Sequence, residues 1–144
     1  MEYAHGGTTP LRTLDVTAGE PAGCSVDPTT GNLAVSILGT GEVVVFTQGS
    51  AGSGTIVSDG LTDTYFDGYD DKGDLFVDGF QGSTPGLTEL PKGGGPSVRI
   101  TLGQPLEFPG GLQWHAAFCA VDPASGSLAV STVEADAGNS DAEM

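Results

Sequence analysis

Apolar and polar residues alternate along this chain in short runs, and one arrangement is used twice. Residues Cys24 to Ser36 read CSVDPTTGNLAVS, and Cys119 to Ser131 read CAVDPASGSLAVS. Each copy holds two apolar runs around a turn. Val26 and Val121 end the first run, and Leu33-Ala34-Val35 and Leu128-Ala129-Val130 form the second. Asp-Pro followed by Gly is turn chemistry, because proline presets φ and glycine accepts positive φ. The unit therefore reads as a β-hairpin. A looser copy, GYDDKGDLFVDG from Gly68 to Gly79, lies between the two.

Gly31, Gly73 and Gly126 mark the repeat, so it recurs at intervals of roughly 42 and 53 residues, the range of repeat architectures. Short strands at that period predict an all-β fold of β-propeller blades, each a four-stranded antiparallel unit. The first full unit, about 23–59, takes its strands from Gly23–Val26, Asn32–Ile37, Glu42–Thr47 and Gly54–Val57. Glu42-Val43-Val44-Val45-Phe46 is rich in β-branched residues and marks its third strand. The second unit, about 64–103, takes Thr64–Tyr69, Asp74–Val77, Leu87–Leu90 and Ser97–Leu102. Residues 1–17 supply a half blade, with Leu14 and Val16 on one face of a strand and Thr13 and Asp15 on the other. A partial unit covers about 111–132. Two segments compete for its first strand, Gly111–Trp114 by interval and Phe118–Val121 by motif, and the motif fits better. Residues 134–144, EADAGNSDAEM, lack apolar content and predict a disordered acidic tail. The blades number about three, an incomplete ring. The apolar positions of the phrase (Val26, Leu33, Val35, Val44, Leu75, Val77, Val121, Leu128 and Val130) are expected to be buried between blades.

Charge narrows the partners. Nineteen acids face four bases, Arg12, Lys72, Lys92 and Arg99, for a net charge of −15. Such a surface repels phosphate backbones and anionic lipid, so nucleic acid and membrane are not expected as partners. No apolar run approaches the length of a membrane span. Met1-Glu2-Tyr3 lacks the basic start and apolar region of a signal peptide. The two cysteines hold the same repeat position in different units. They are expected to be free, buried thiols, since equivalent positions two blades apart exceed disulfide reach.

The phrases SVDPTTGNLAV, GYDDKGDLFV and AVDPASGSLAV resemble the first two strands of NHL-type blades. They also resemble the wider six-bladed propeller group that includes SMP-30/gluconolactonase-like and virginiamycin-B-lyase-like proteins. The resemblance implies blades around a central channel with ligands at its mouth, and it is compatible with a secreted or periplasmic parent. About three units stand here where such proteins have six. The chain is therefore expected to be part of a larger propeller, or to close a six-bladed ring as a homodimer.

No motif identifies chemistry. Gly49-Ser50-Ala51-Gly52-Ser53-Gly54 lacks the Gly-Lys-Ser/Thr ending of a phosphate loop and reads as a flexible loop. Asp67, Asp70 and Asp71 are candidate calcium ligands, because hard cations want several carboxylate oxygens and lactonases of the resembling group bind calcium near an inner strand. The plainer reading of Asp70-Asp71-Lys72-Gly73-Asp74 is a turn. His115 is the candidate general base, with a structural role beside Trp114 as the simpler reading. Tyr65, Tyr69 and Trp114 are candidates for a ligand surface, though blade packing also uses aromatics. The expected function is a non-enzymatic binding or interaction module without a cofactor. The alternative is a fragment of a calcium-dependent propeller hydrolase or lyase.

Overall fold

A computed structural model describes residues 1–101, 119–122, 125, 127–130, 132–136 and 139–143. The chain opens with three short strands, β1 (Glu2–Tyr3), β2 (Pro10–Arg12) and β3 (Leu14–Asp15). Next come β4 (Glu20–Val26), β5 (Leu33–Leu38), β6 (Glu42–Phe46), the two-residue β7 (Gly52–Ser53) and β8 (Thr55–Ser58). Then follow β9 (Asp63–Tyr69), β10 (Leu75–Gln81), β11 (Thr84–Leu90) and β12 (Val98–Ile100). The last strands are β13 (Cys119–Val121), β14 (Leu128–Val130), β15 (Thr132–Asp136) and β16 (Asn139–Glu143).

The fold is all-β. Two four-stranded antiparallel sheets dominate, in the orders β4-β5-β6-β8 and β9-β10-β11-β12. All eight strands predicted for the two full units are present, with ends moved by a few residues. Among the described residues the sheets do not close into a ring. β13 and β14 pair through Cys119↔Val130 and Val121↔Leu128, the hairpin expected of the third copy. Where composition predicts a disordered tail, β15 and β16 pair with each other. No helix among the described residues is long and apolar enough to cross a membrane.

The repeated Asp and Gly explain the phrase. In the first unit the Gly31 amide donates to the Asp27 carbonyl at 2.8 Å, and Gly31 has φ of 75°. The Asp27 side chain accepts from the Thr29 amide at 2.8 Å and from the hydroxyls of Thr29 and Thr30. In the second unit Asp70 Oδ1 accepts from the amides of Lys72 and Asp74 at 2.9 and 2.8 Å. In the third, Asp122 Oδ2 accepts from the Ser125 hydroxyl at 2.7 Å. In the first two units aspartate thus satisfies the amides of a tight turn, and Gly31 and Gly73, with φ of 75° and 92°, supply its left-handed residue.

The sheets pack face to face. Ala34 and Val43 of the first meet Leu75, Val77 and Leu90 of the second, with Leu61 between. The opposite face of the first sheet carries Val35, Ile37, Val44 and Phe46, covered by Leu14, Val16 and Ala18. The predicted alternation around Leu14 and Val16 is what lets residues 14–18 cover that face. Their position is pinned twice. β3 pairs in parallel with β7, through Leu14↔Gly52 and Asp15↔Ser53. Arg12 bridges Glu2 at 2.7 Å and donates to the Gly49 carbonyl at 2.6 Å. The glycine-rich segment read as a flexible loop therefore contributes a short strand.

Two burial expectations are corrected. Val35, Val44, Leu75 and Val77 are buried as predicted, and Leu33 is half-buried. Val26, however, is 59% exposed, and Cys24 is an exposed free thiol rather than a buried one. Both lie on the outward face of β4, beside the area that residues 14–18 cover. The side chains of Val121, Leu128, Val130 and Cys119 lie outside the described residues.

Candidate functional site

Two buried carboxylates on the second sheet form the most unusual polar arrangement. Asp67 of β9 points into the first sheet. Its Oδ1 accepts from the Ser25 hydroxyl, and its Oδ2 accepts from the Ser36 amide at 3.1 Å and the Ser36 hydroxyl at 2.5 Å. The backbone explains why that amide is free. Pro21 pairs with Ile37, but Cys24 pairs with Val35, so a register shift leaves Ser36 opposite the extra residues of β4. Burial pushes the Asp67 carboxyl upward, and the bonds from Ser25 and Ser36 oppose that without cancelling it.

Gly23, at the bulge, lets β4 and β9 approach. A Cβ there would stand 2.8 Å from Phe66 Cα and 3.0 Å from the Tyr65 carbonyl oxygen. Both neighbours are backbone and cannot swing aside. Gly23→Ala is therefore expected to cost about 1–3 kcal/mol as an overpacking change, read as a lower urea midpoint. An unchanged midpoint would show that the strands can separate freely.

Asp78 of β10 leaves the sheet on the face opposite Val77 and is only 1% exposed. A second bulge shapes its surroundings. Val77 pairs with Asp67 and Gly79 with Thr64, so both Tyr65 and Phe66 oppose Asp78. Oδ1 accepts from the Phe66 amide at 3.0 Å, and Oδ2 has no hydrogen-bond partner among the described residues. Burial pushes its carboxyl up to about 8; the Phe66 amide works against the rise and the Asp67 charge adds to it.

The other predicted residues fall elsewhere. The Asp70 carboxylate folds into its own turn, and Asp71 is exposed in that turn. With Asp67 committed to Ser25 and Ser36, the three candidate calcium ligands do not converge. Among the described residues no three His, Cys, Asp or Glu side chains gather around a metal position. Tyr65 is half-buried, meets Phe80 edge-on at 5.8 Å and donates to Asp63 Oδ2 at 3.1 Å. Tyr69 packs on the core between the sheets, and burial, helped by the charges of Asp27 and Asp67, pushes its hydroxyl up to about 12. Trp114 and His115 lie outside the described residues.

At the turn end, Lys92 joins three connections. Its Nζ donates to Thr29 Oγ1 at 2.5 Å and its amide to Asp74 Oδ1 at 2.9 Å. Although burial pushes the Asp27 carboxyl up, bonds from Thr30 and Thr29 and the Lys92 charge hold it below the usual carboxylate range.

Ser25, Ser36 and Asp78 were not among the candidate site residues. One signal was available. Aligning Leu33-Ala34-Val35-Ser36 with Leu75-Phe76-Val77-Asp78 puts an acid where the repeat otherwise carries serine. The strand ladders likewise place Asp67, opposite Val77, where Cys24 stands opposite Val35 and Cys119 opposite Val130. Both acids of the middle unit thus depart from the repeat, and both are buried. No known family model matches this chain, and no curated protein matches it.

Proposed function

We propose that the chain is a non-enzymatic binding and interaction module made of propeller blades, whose open face receives a further blade. One observation carries this reading: equivalent faces of the two sheets differ in cover. Asp67 and Tyr69 on β9 hold the same register as Cys24 and Val26 on β4, opposite Val77 and Leu75 in one case and Val35 and Leu33 in the other. In the second sheet these positions are turned toward the first sheet and covered. In the first sheet Cys24 is exposed and Val26 is 59% exposed. Ile56, opposite Val44 on the same face, is 53% exposed. An apolar face that its own repeat covers elsewhere is a surface for another sheet of the same kind.

The resemblance to NHL-type and SMP-30-like blades supports the same reading. In that group a longer propeller would supply the missing blade; a second copy of this chain could supply it too. Light scattering on the purified chain tests the second-copy form. Self-association at micromolar concentration is expected, and Val26→Asp should weaken it at least tenfold, because it places a charge in an apolar contact. A monomer across that range, or a dimer indifferent to Val26→Asp, would overturn it.

A further inference from the structure

We infer that Asp78 is a built-in proton site that makes the packing of the second sheet sensitive to pH. It carries its proton on Oδ2 up to neutral pH, and losing that proton loosens the inner strands β9 and β10.

The geometry assigns the proton. Oδ1 already accepts the Phe66 amide, while Oδ2 is buried with no donor among the described residues. A carboxylate oxygen without donors in a protein interior lacks the stabilisation that water would give its charge. Protonation removes that charge where it is least supported.

The neighbouring groups reinforce this. On β9 the carboxylate that acts on Asp78 is Asp67, and its negative charge opposes ionisation. Asp63 on the same strand is engaged by the Gly39 amide and the Tyr65 hydroxyl, and Tyr69 packs into the core between the sheets. On β11 the charged residue is Glu89, half-buried opposite Phe76, again an acid. On β12, Arg99 donates to the Pro85 carbonyl. β13 lies alongside β9 and β10, and its titratable residue is Cys119. The other cations are placed elsewhere: Arg12 on Glu2, Lys92 on Thr29, and Lys72 in the β9–β10 turn.

The direction of the pH effect follows. The carboxyl titrates higher in the folded protein, at about 8, than its ordinary value of 3.8. Between those limits the folded state binds a proton that the unfolded chain has released. Stability from this group is therefore complete below about pH 4 and is lost as pH rises through about 8.

Infrared spectroscopy of the carboxyl C=O band, joined to urea denaturation across pH, tests the site. The protonated-carboxyl band of Asp78, read as the difference between wild type and Asp78→Asn, should persist at pH 6.5 and vanish near pH 9. The folded-to-unfolded ratio should fall by up to about tenfold per pH unit across the upper part of the window in the wild type, and markedly less in the variant. If Asp78→Asn does not fold, Asp78→Ser introduces the residue that the repeat carries at Ser36. The wild-type band can also be followed by itself. A wild-type-minus-variant difference band that titrates below pH 5, or no difference band between wild type and a folded variant, would overturn the inference. So would equal pH slopes in wild type and variant.

Discussion

Replacing Phe46 with alanine is expected to lower the free energy of unfolding by about 3–5 kcal/mol, the range for truncating a large, fully buried aromatic. Among the described residues Phe46 is the largest fully buried side chain, at 1% exposure. It sits on β6 among Val35, Ile37 and Val44, under Leu14, Val16 and Ala18. Those covering residues belong to a short segment held by β7 and by Arg12 rather than to a full sheet. Collapse of the segment into the cavity would soften the loss, and detachment of the segment would deepen it. Leu33→Ala should cost less, because Leu33 is only half-buried. Val26→Ala should cost little in the monomer, because that side chain faces solvent. Urea denaturation of the three variants gives the order. Equal midpoint shifts for Phe46→Ala and Val26→Ala would contradict the assignment of buried and open positions on this face.

The strands were legible because their signals are local. β-branched runs such as Val43-Val44-Val45, alternation around Leu14 and Val16, and Asp with a following Gly in the hairpin of each repeat phrase act within a few residues of themselves. Cover is not local. Cys24 and Val26 read as buried because they belong to the apolar phrase, yet their exposure depends on whether another sheet lies against β4. The acidic cluster shows the same limit. Asp67, Asp70 and Asp71 are neighbours in sequence, but Asp67 leaves a strand toward the first sheet, Asp70 folds into its turn and Asp71 meets solvent. Proximity along a chain carries no direction. The partners of Asp67, Ser25 and Ser36, stand 42 and 31 residues away. Only the packing of one sheet on the next brings them together, and only two bulges free the amides that Asp67 and Asp78 accept.

Asp67→Ala should cost about 2–4 kcal/mol near pH 6, since it strips one amide and two hydroxyls of a buried acceptor. Ser36 bears most of this. Its amide lies opposite the β4 bulge and has no place in the ladder, while the hydroxyls can turn toward other acceptors. The contribution is partly offset by what Asp67 itself gives up, because burial drives its carboxyl above the ordinary range. That offset sets the pH dependence. A group whose folded-state value is raised loses its contribution as pH rises, and removing Asp67 also relieves the negative charge that acts on Asp78. The cost of Asp67→Ala should thus be larger at pH 5 than at pH 8. A double-mutant cycle with Ser36→Ala separates the contact from the general loss of a side chain. If Asp67 fastens the two sheets through Ser36, the second substitution costs at least 0.5 kcal/mol less after the first than alone. Strict additivity, or a cost that grows with pH, would show that the second sheet is held on the first by apolar packing and not by this carboxylate.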